Sequence, residues 1–430
     1  MKAIEIIGRQ RAWGNLQIDG NKNAALPMIA AALLTKDTVV LRNVPRILDV
    51  LNMLSIAQNL GAKVRWLTDS AVEITADALS GDTPDEALCH AVRTSLLFGG
   101  PLAVRLGEAH ITRPGGDVIG RRRLDTHFYG LGKLGIACTP KDGAYHFRKN
   151  SSAFAASTLF LDEASVTATE HIMMTAVLAP GVTTIRNAAC EPHVTQLAQL
   201  LISMGAKIEG VETNILTIEG VKELHGTEFD IGADHVNVAS FLTLAAATGG
   251  EIELTGNIIP HDYWMTRRVF ERMGCYITLE PGRIFLKQDA PLQIHNDLDG
   301  TMPVISDGPW PQFPSDMMSC LIVAATQAQG SVLFFEKMFE SRIYFVDRLI
   351  AMGANAVICD PHRAVISGPS TLHGAELISP DIRAGMALVI AACCAQGKSL
   401  IRNADMIYRG YSHFTQSLKN LHITLSELDI

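Results

Sequence analysis

Five times along the chain an amphipathic helix runs into a glycine and then into a β-branched strand, and a sixth copy closes the series. The copies read MLSIAQNLGAKVRW, FYGLGKLGIACT, LAQLLISMGAKIEG, RVFERMGCYITL, VDRLIAMGANAVI and, with Asn420 standing for the glycine, SLKNLHITL. Leucine or methionine recurs every three to four residues, glycine closes the helix as a left-handed C-cap, and β-branched residues then begin a strand. The turn glycines are Gly61, Gly135, Gly205, Gly274 and Gly353, about 70 residues apart. A second element alternates with the first: AALPMIAAALLTKDTVVL, RTSLLFGGPLAVRLGEAHIT, SVTATEHIMMTAVLAPGVTTI, NVASFLTLAAATGGEIEL, SDMMSCLIVAATQAQGSVLF and DIRAGMALVIAACCAQGKSLI. Small side chains let such helices pack with close axes, so they are read as buried helices grouped inside each domain, with strands outside. The chain has 430 residues, too many for one ordinary core, and six units divide most simply into two domains of three.

Several classes of function are excluded by the remaining numbers. A net charge of −8 argues against general affinity for nucleic acid, which needs a broad basic face. The longest apolar run, AGMALVIAACCA, falls short of the ~20 residues of a membrane span, and MKAIEIIGRQ is no secretion signal, so a cytoplasmic protein is expected. Eight cysteines without CxxC spacing, and fourteen histidines without HExxH, point to free thiols and to no metal site. GLGKLG lacks the strand-first context of a dinucleotide loop and is read as a helix end. One stretch stands apart: RPGGDVIGRRRLDTH puts Arg113, Arg121, Arg122 and Arg123 near Asp117 on a glycine-hinged loop. An anionic ligand would be gathered there.

Read in order, GNKNAALPMIAAALL, PGGDVIG, RRRLDTH, FPSDMM, FESR, PDIRAG and YRGY resemble the enolpyruvyl transferase family over essentially the whole chain. The resemblance implies an α/β fold, the two-domain inside-out α/β barrel of six βαβαββ repeats, three per domain, with the active site in the interdomain cleft. It puts residues 1–22 and 233–430 in one discontinuous domain on the catalytic-base side, and residues 23–232 in the other, which carries the mobile loop 113–123. The implied reaction moves the enolpyruvyl group of phosphoenolpyruvate to a sugar hydroxyl and releases phosphate. Lys22, Arg122 and Arg409 match positions that hold the phosphate, and Arg342 and Arg383 those that hold the carboxylate; guanidinium forks suit both anions. Lys22 and Arg409 are also carried over as catalytic. Asp316 matches the carboxylate beside the acceptor hydroxyl, a general base, although Asp316 or Ser315 capping a helix is the competing reading. Asp381 also heads a helix; the resemblance places it in the active site near Arg383, and capping alone is the competing reading. Most of the family carries cysteine, the target of fosfomycin, where Asp117 stands; both side chains can deliver a proton, so Asp117 is assigned as general acid, on a hinge made by Gly115 and Gly116.

The same resemblance implies that the acceptor is UDP-N-acetylglucosamine, attacked through its 3′-hydroxyl in the first committed step of peptidoglycan synthesis. Asn23, Arg93, Arg122, Asp125, His127, Ser165, Val166 and Asp316 fall at its binding positions, and Glu191 at a further cleft position. Glu163 replaces a lysine near the diphosphate, while His235 and Asn237 stand where the common pattern has an arginine-bearing PDRIE. Another uridine nucleotide or shikimate 3-phosphate is therefore the alternative acceptor, and a catalytically dead nucleotide-binding regulator a third reading. No cofactor, metal, nucleic acid or membrane is expected as a partner, and a monomer is expected.

Overall fold

The computed structural model describes residues 2–115 and 123–429; Gly116, Asp117, Arg121 and Arg122, with their assigned roles, lie outside the described residues. The chain divides into two compact units. One is built from both chain ends, up to Asp19 and from Ala233 onward, and the other from the chain between Gly20 and Gly232. Lys22, placed at the end of the first segment by the resemblance, opens helix Lys22–Ala31 of the second unit.

Each unit holds three sheets among the described residues. Five sheets share one plan, a parallel pair of strands to which two further strands add in antiparallel fashion; in three of them the parallel strands are consecutive across a buried helix, and in the other two they come from distant parts of the chain, Thr38–Arg42 with Thr227–Asp230 and Trp13–Gln17 with Glu251–Thr255. In the end-built unit, Val304–Ser306 runs parallel to Gly330–Phe335, with helix Ser315–Gln327 between them, and Arg363–Gly368 and Asn355–Asp360 complete the sheet. Trp13–Gln17 supplies the parallel strand for Glu251–Thr255, so the amino end is stitched into a sheet made otherwise from residues beyond 250. The sheet of Glu108–Thr112 has three strands; where a leading strand is expected, RTSLLF instead winds as a 3-10 segment, with Ser95 donating to the Cys89 carbonyl at 3.1 Å.

The cores are the alanine-rich helices. In the end-built unit, helices His235–Ala247, Ser315–Gln327 and Ile382–Cys394 pack on one another, and Ile382 through Cys393 are buried without interruption. A helix apolar all round has no face to offer water and must lie inside. The hydroxyls of helix His235–Ala247 turn back on that helix: Ser240 donates to the Val236 carbonyl at 2.8 Å and Thr243 to that of Ala239 at 2.7 Å. No helix among the described residues is long and apolar enough to cross a membrane.

All five repeat glycines take positive φ, between 69° and 105°, as left-handed caps require. The sixth copy differs from expectation. Helix Phe414–Asn420 includes Asn420, and the left-handed residue is His422 (φ 62°), two positions on. The strain of a side chain there is offset by long-range contacts, since the His422 ring stacks on Trp13, with 9° between planes, and its Nδ1 lies 3.0 Å from the Trp13 carbonyl.

Candidate active site

In the end-built unit the structure brings together Asp316, Arg342 and Arg383. Asp316 occupies the first turn of helix Ser315–Gln327, Arg342 opens the 3-10 turn Arg342–Phe345, and Arg383 lies in the first turn of helix Ile382–Cys394. Arg342 Nη1 donates to Asp316 Oδ1 at 2.8 Å and Arg383 Nε to Oδ2 at 3.1 Å. Both guanidiniums are buried. Burial disfavours the Asp316 carboxylate, but the charges and hydrogen bonds of Arg342 and Arg383 outweigh it and hold its pKa well below the usual range. Each guanidinium keeps a buried N–H without an acceptor among the described residues: Nε of Arg342 and Nη1 of Arg383. Such donors are costly to leave unmade, and a small carboxylate would satisfy them.

Neither capping reading of this helix holds, because Pro314 occupies the N-cap without a side-chain bond. Ser315 is used instead as a relay, accepting from Arg342 Nη1 at 2.8 Å and donating to Glu336 at 2.8 Å. Asp381 does cap its helix, accepting from the Arg383 and Ala384 amides at 2.8 and 2.9 Å. Arg409 is half-buried and caps the short helix Asp405–Tyr408. His235 and Asn237 begin helix His235–Ala247 under the Asp234 cap, and Asn237 Nδ2 donates to the Gly410 carbonyl at 3.2 Å, next to Arg409.

In the other unit, Lys22 is buried in an ion pair with Asp49, 2.7 Å from Oδ2. Asn23 is half-buried behind it, its amide donating to Asn21 Oδ1 at 2.8 Å. The residues matched to the uridine end gather where helices Asp125–Lys133 and Val166–Ala176 begin. Ser165 caps the second helix and Val166 is half-buried. Arg123 pairs with Asp125 at 2.9 Å, and Thr126 donates to Glu163 at 3.5 Å. Arg93 lies close enough for its charge to act on His127. His127 is only 2 % exposed, with both ring nitrogens engaged inside the protein, by His171 and Thr167. Glu191 is the N-cap of helix Pro192–Ser203 and raises the proton affinity of buried Glu170.

Sequence reasoning missed Glu336, Asp49 and His171. The available signal was local: an acid ending the apolar strand SVLFFE, an acid in RILDVL and an imidazole in HIMMTAVL, each too polar for its surroundings unless paired. Among the described residues no cluster of His, Cys, Asp and Glu could hold a metal ion.

These buried groups make a pH prediction. Burial lowers His127 to about 3 and His235 to about 4, each assisted by an arginine, Arg93 or Arg383, and takes His171 well below 6.5. Burial also raises Glu336 to about 8, with Asp307 pushing the same way, and puts Glu170 well above 4.5. A histidine with a lowered folded pKa costs stability as pH falls below 6.5, because only the unfolded chain takes the proton; a glutamate with a raised one loses its contribution as pH rises from 4.5. Each group acts with a slope of about 1.4 kcal/mol per pH unit. Between 4.5 and 6.5, three histidines outweigh two glutamates by the slope of a single group. Above 6.5 only the glutamates act, and below 4.5 only the histidines, joined by Asp316. Stability in urea is therefore expected to peak near pH 6.5, fall gently to pH 4.5 and then steeply; a midpoint that kept rising to pH 9 would contradict these assignments.

The chain matches the family model described as EPSP synthase (3-phosphoshikimate 1-carboxyvinyltransferase) over residues 6–418. It is 49% identical over 412 residues to a UDP-N-acetylglucosamine 1-carboxyvinyltransferase of Treponema denticola, covering 96% of each chain. A protein of that name from Treponema pallidum is 47% identical over 426 residues, 99% of each chain. Among solved structures, the enolpyruvyl transferase NikO from Streptomyces tendae superposes with a TM-score of 0.88 at 21% identity, over 99% of this chain and 98% of its own. An EPSP synthase from Acinetobacter baumannii follows the same fold with a TM-score of 0.78 at 18% identity, over the whole of both chains.

Proposed function

The chain belongs to the EPSP synthase family of enolpyruvyl transferases, and we propose that it transfers the enolpyruvyl group of phosphoenolpyruvate to the 3′-hydroxyl of UDP-N-acetylglucosamine, releasing inorganic phosphate. The observation that carries this reading is the Asp316 carboxylate clasped by two buried arginines that still have donors to give. In the proposal Arg342 and Arg383 take the enolpyruvate carboxylate, while Lys22, Arg122 and Arg409 take the phosphate.

Proton traffic is assigned to two acids. Attack by the sugar oxygen on C2 of the enol ester forms a C–O bond while Asp117 protonates C3, giving a tetrahedral ketal phosphate; return of a C3 proton to the Asp117 carboxylate and cleavage of the C–O bond to phosphate then regenerate the vinyl group and the acid. The hydroxyl proton goes to Asp316. Held by two guanidiniums, Asp316 is too weak a base for that duty. When the substrate carboxylate draws Arg342 and Arg383 away, the aspartate loses the charges that depress its pKa, so donor binding switches on the base.

Arg93, Asn23, Asp125, Ser165 and Val166 are assigned to the nucleotide, with His127 behind them. Phosphate release should appear with phosphoenolpyruvate and UDP-N-acetylglucosamine together, accompanied by a carboxyvinyl ether of the sugar nucleotide in the mass spectrum. Shikimate 3-phosphate and uridine in place of the sugar nucleotide should give neither. No phosphate from the first pair, or equal release with shikimate 3-phosphate, would overturn the assignment.

A further inference from the structure

Behind the start of helix Val166–Ala176, two buried histidines form a hydrogen-bond chain whose direction is set by a backbone group. The Gly100 N–H donates to Nε2 of His171 at 2.7 Å. An amide nitrogen offers only a proton, so this Nε2 is bare and the neutral ring carries its proton on Nδ1. That proton faces Nδ1 of His127 at 3.2 Å, which must accept it. His127 is then protonated on Nε2 and donates to Thr167 Oγ1 at 3.0 Å. Burial keeps both rings neutral, and the Arg93 charge adds to that effect at His127. Gly100 is part of the device: a Cβ there would lie 2.8 Å from the His171 ring and 2.4 Å from Thr175 Oγ1, so a larger residue would push the imidazole off the amide.

The consequence falls on Thr167. One lone pair of its hydroxyl is committed to His127, and its own proton has no acceptor among the described residues. The side chain is half-buried and directly follows Ser165 and Val166. Arg93 acts on this neighbourhood, and the amino end of an 11-residue helix adds partial positive charge. Glu163, by contrast, puts an acid where the resemblance expects a lysine.

We propose that the Thr167 hydroxyl is a specificity-determining donor to a diphosphate oxygen of the nucleotide substrate, aimed by His127 and His171 as positioning residues. This rests on the uridine-nucleotide reading above. The hydroxyl rotor is already committed before the ligand arrives, so less freedom is lost on binding.

Thr167→Val removes the O–H without changing shape. It should raise the KM for UDP-N-acetylglucosamine about tenfold, and weaken calorimetric binding of UDP by a similar factor. Turnover, the KM for phosphoenolpyruvate and binding of uridine should stay within about twofold, and Thr167→Ser should restore the affinity. His171→Gln should weaken UDP binding several-fold in the wild-type background and add nothing to Thr167→Val. Because His171 is buried, melting curves accompany that variant; the half-exposed Thr167→Val carries the test should His171→Gln not fold. Unchanged UDP affinity in Thr167→Val overturns the assignment, equal weakening of uridine binding overturns the diphosphate contact, and additive effects overturn the relay. Wild type that binds neither UDP nor UDP-N-acetylglucosamine would sink the nucleotide reading itself, and the Thr167 assignment with it.

Discussion

Asp316→Asn should cut turnover by about 10³-fold without raising the KM for phosphoenolpyruvate, a split that follows from the two jobs proposed for this carboxylate. As a base it is irreplaceable by an amide, and loss of general-base catalysis removes roughly 10²- to 10⁴-fold. As the counter-ion of Arg342 and Arg383 it would, under the proposed assignment, compete with the substrate carboxylate for them. Removing it frees both guanidiniums, so phosphoenolpyruvate should bind at least as tightly as in wild type. The same substitution leaves two buried cations without their anion, and stability should drop by about 3–5 kcal/mol. Added phosphoenolpyruvate returns a carboxylate to the pair, and should therefore raise the melting temperature of Asp316→Asn more than that of wild type. Turnover within tenfold of wild type would remove Asp316 from the proton path, and a phosphoenolpyruvate KM raised tenfold or more would show that the aspartate helps to hold the arginines for substrate rather than competing for them.

What was legible in the sequence followed how local each determinant is. The five glycine caps were readable because a 3.6-residue apolar period and a C-terminal glycine are set within a dozen residues. The sixth was misplaced by two residues because His422 is tolerated through Trp13, more than 400 residues away in sequence. The inward placement of the alanine-rich helices was readable from composition alone, and helix Ile382–Cys394 bears it out. Side-chain duties were harder. Ser315 and Asp316 carry the signature of a cap, yet both side chains turn to Arg342, 26 or 27 positions later, and leave the cap to Pro314. His127 sits in the right motif, but only His171, 44 residues on, shows that both its nitrogens are engaged inside the protein.

Wild type should resist fosfomycin, and Asp117→Cys should become sensitive to it while keeping substantial turnover. The epoxide is opened by a soft, strongly nucleophilic thiolate; a carboxylate flanked by Arg121, Arg122 and Arg123 is a hard and weak nucleophile, so time-dependent inactivation should be absent with Asp117 and present with cysteine. Asp117→Asn keeps the shape but has no proton to give, and should lose roughly 10²- to 10⁴-fold in turnover. The two acids should also differ in pH profile. A general acid must be protonated to act, and an ordinary aspartate loses its proton near 3.9 where a cysteine keeps it to about 8.5. With those ordinary values, activity of wild type should decline at lower pH than activity of Asp117→Cys. Rapid inactivation of wild type by fosfomycin would show that the variant loop does not protect, and full turnover in Asp117→Asn would move the proton donor to another residue.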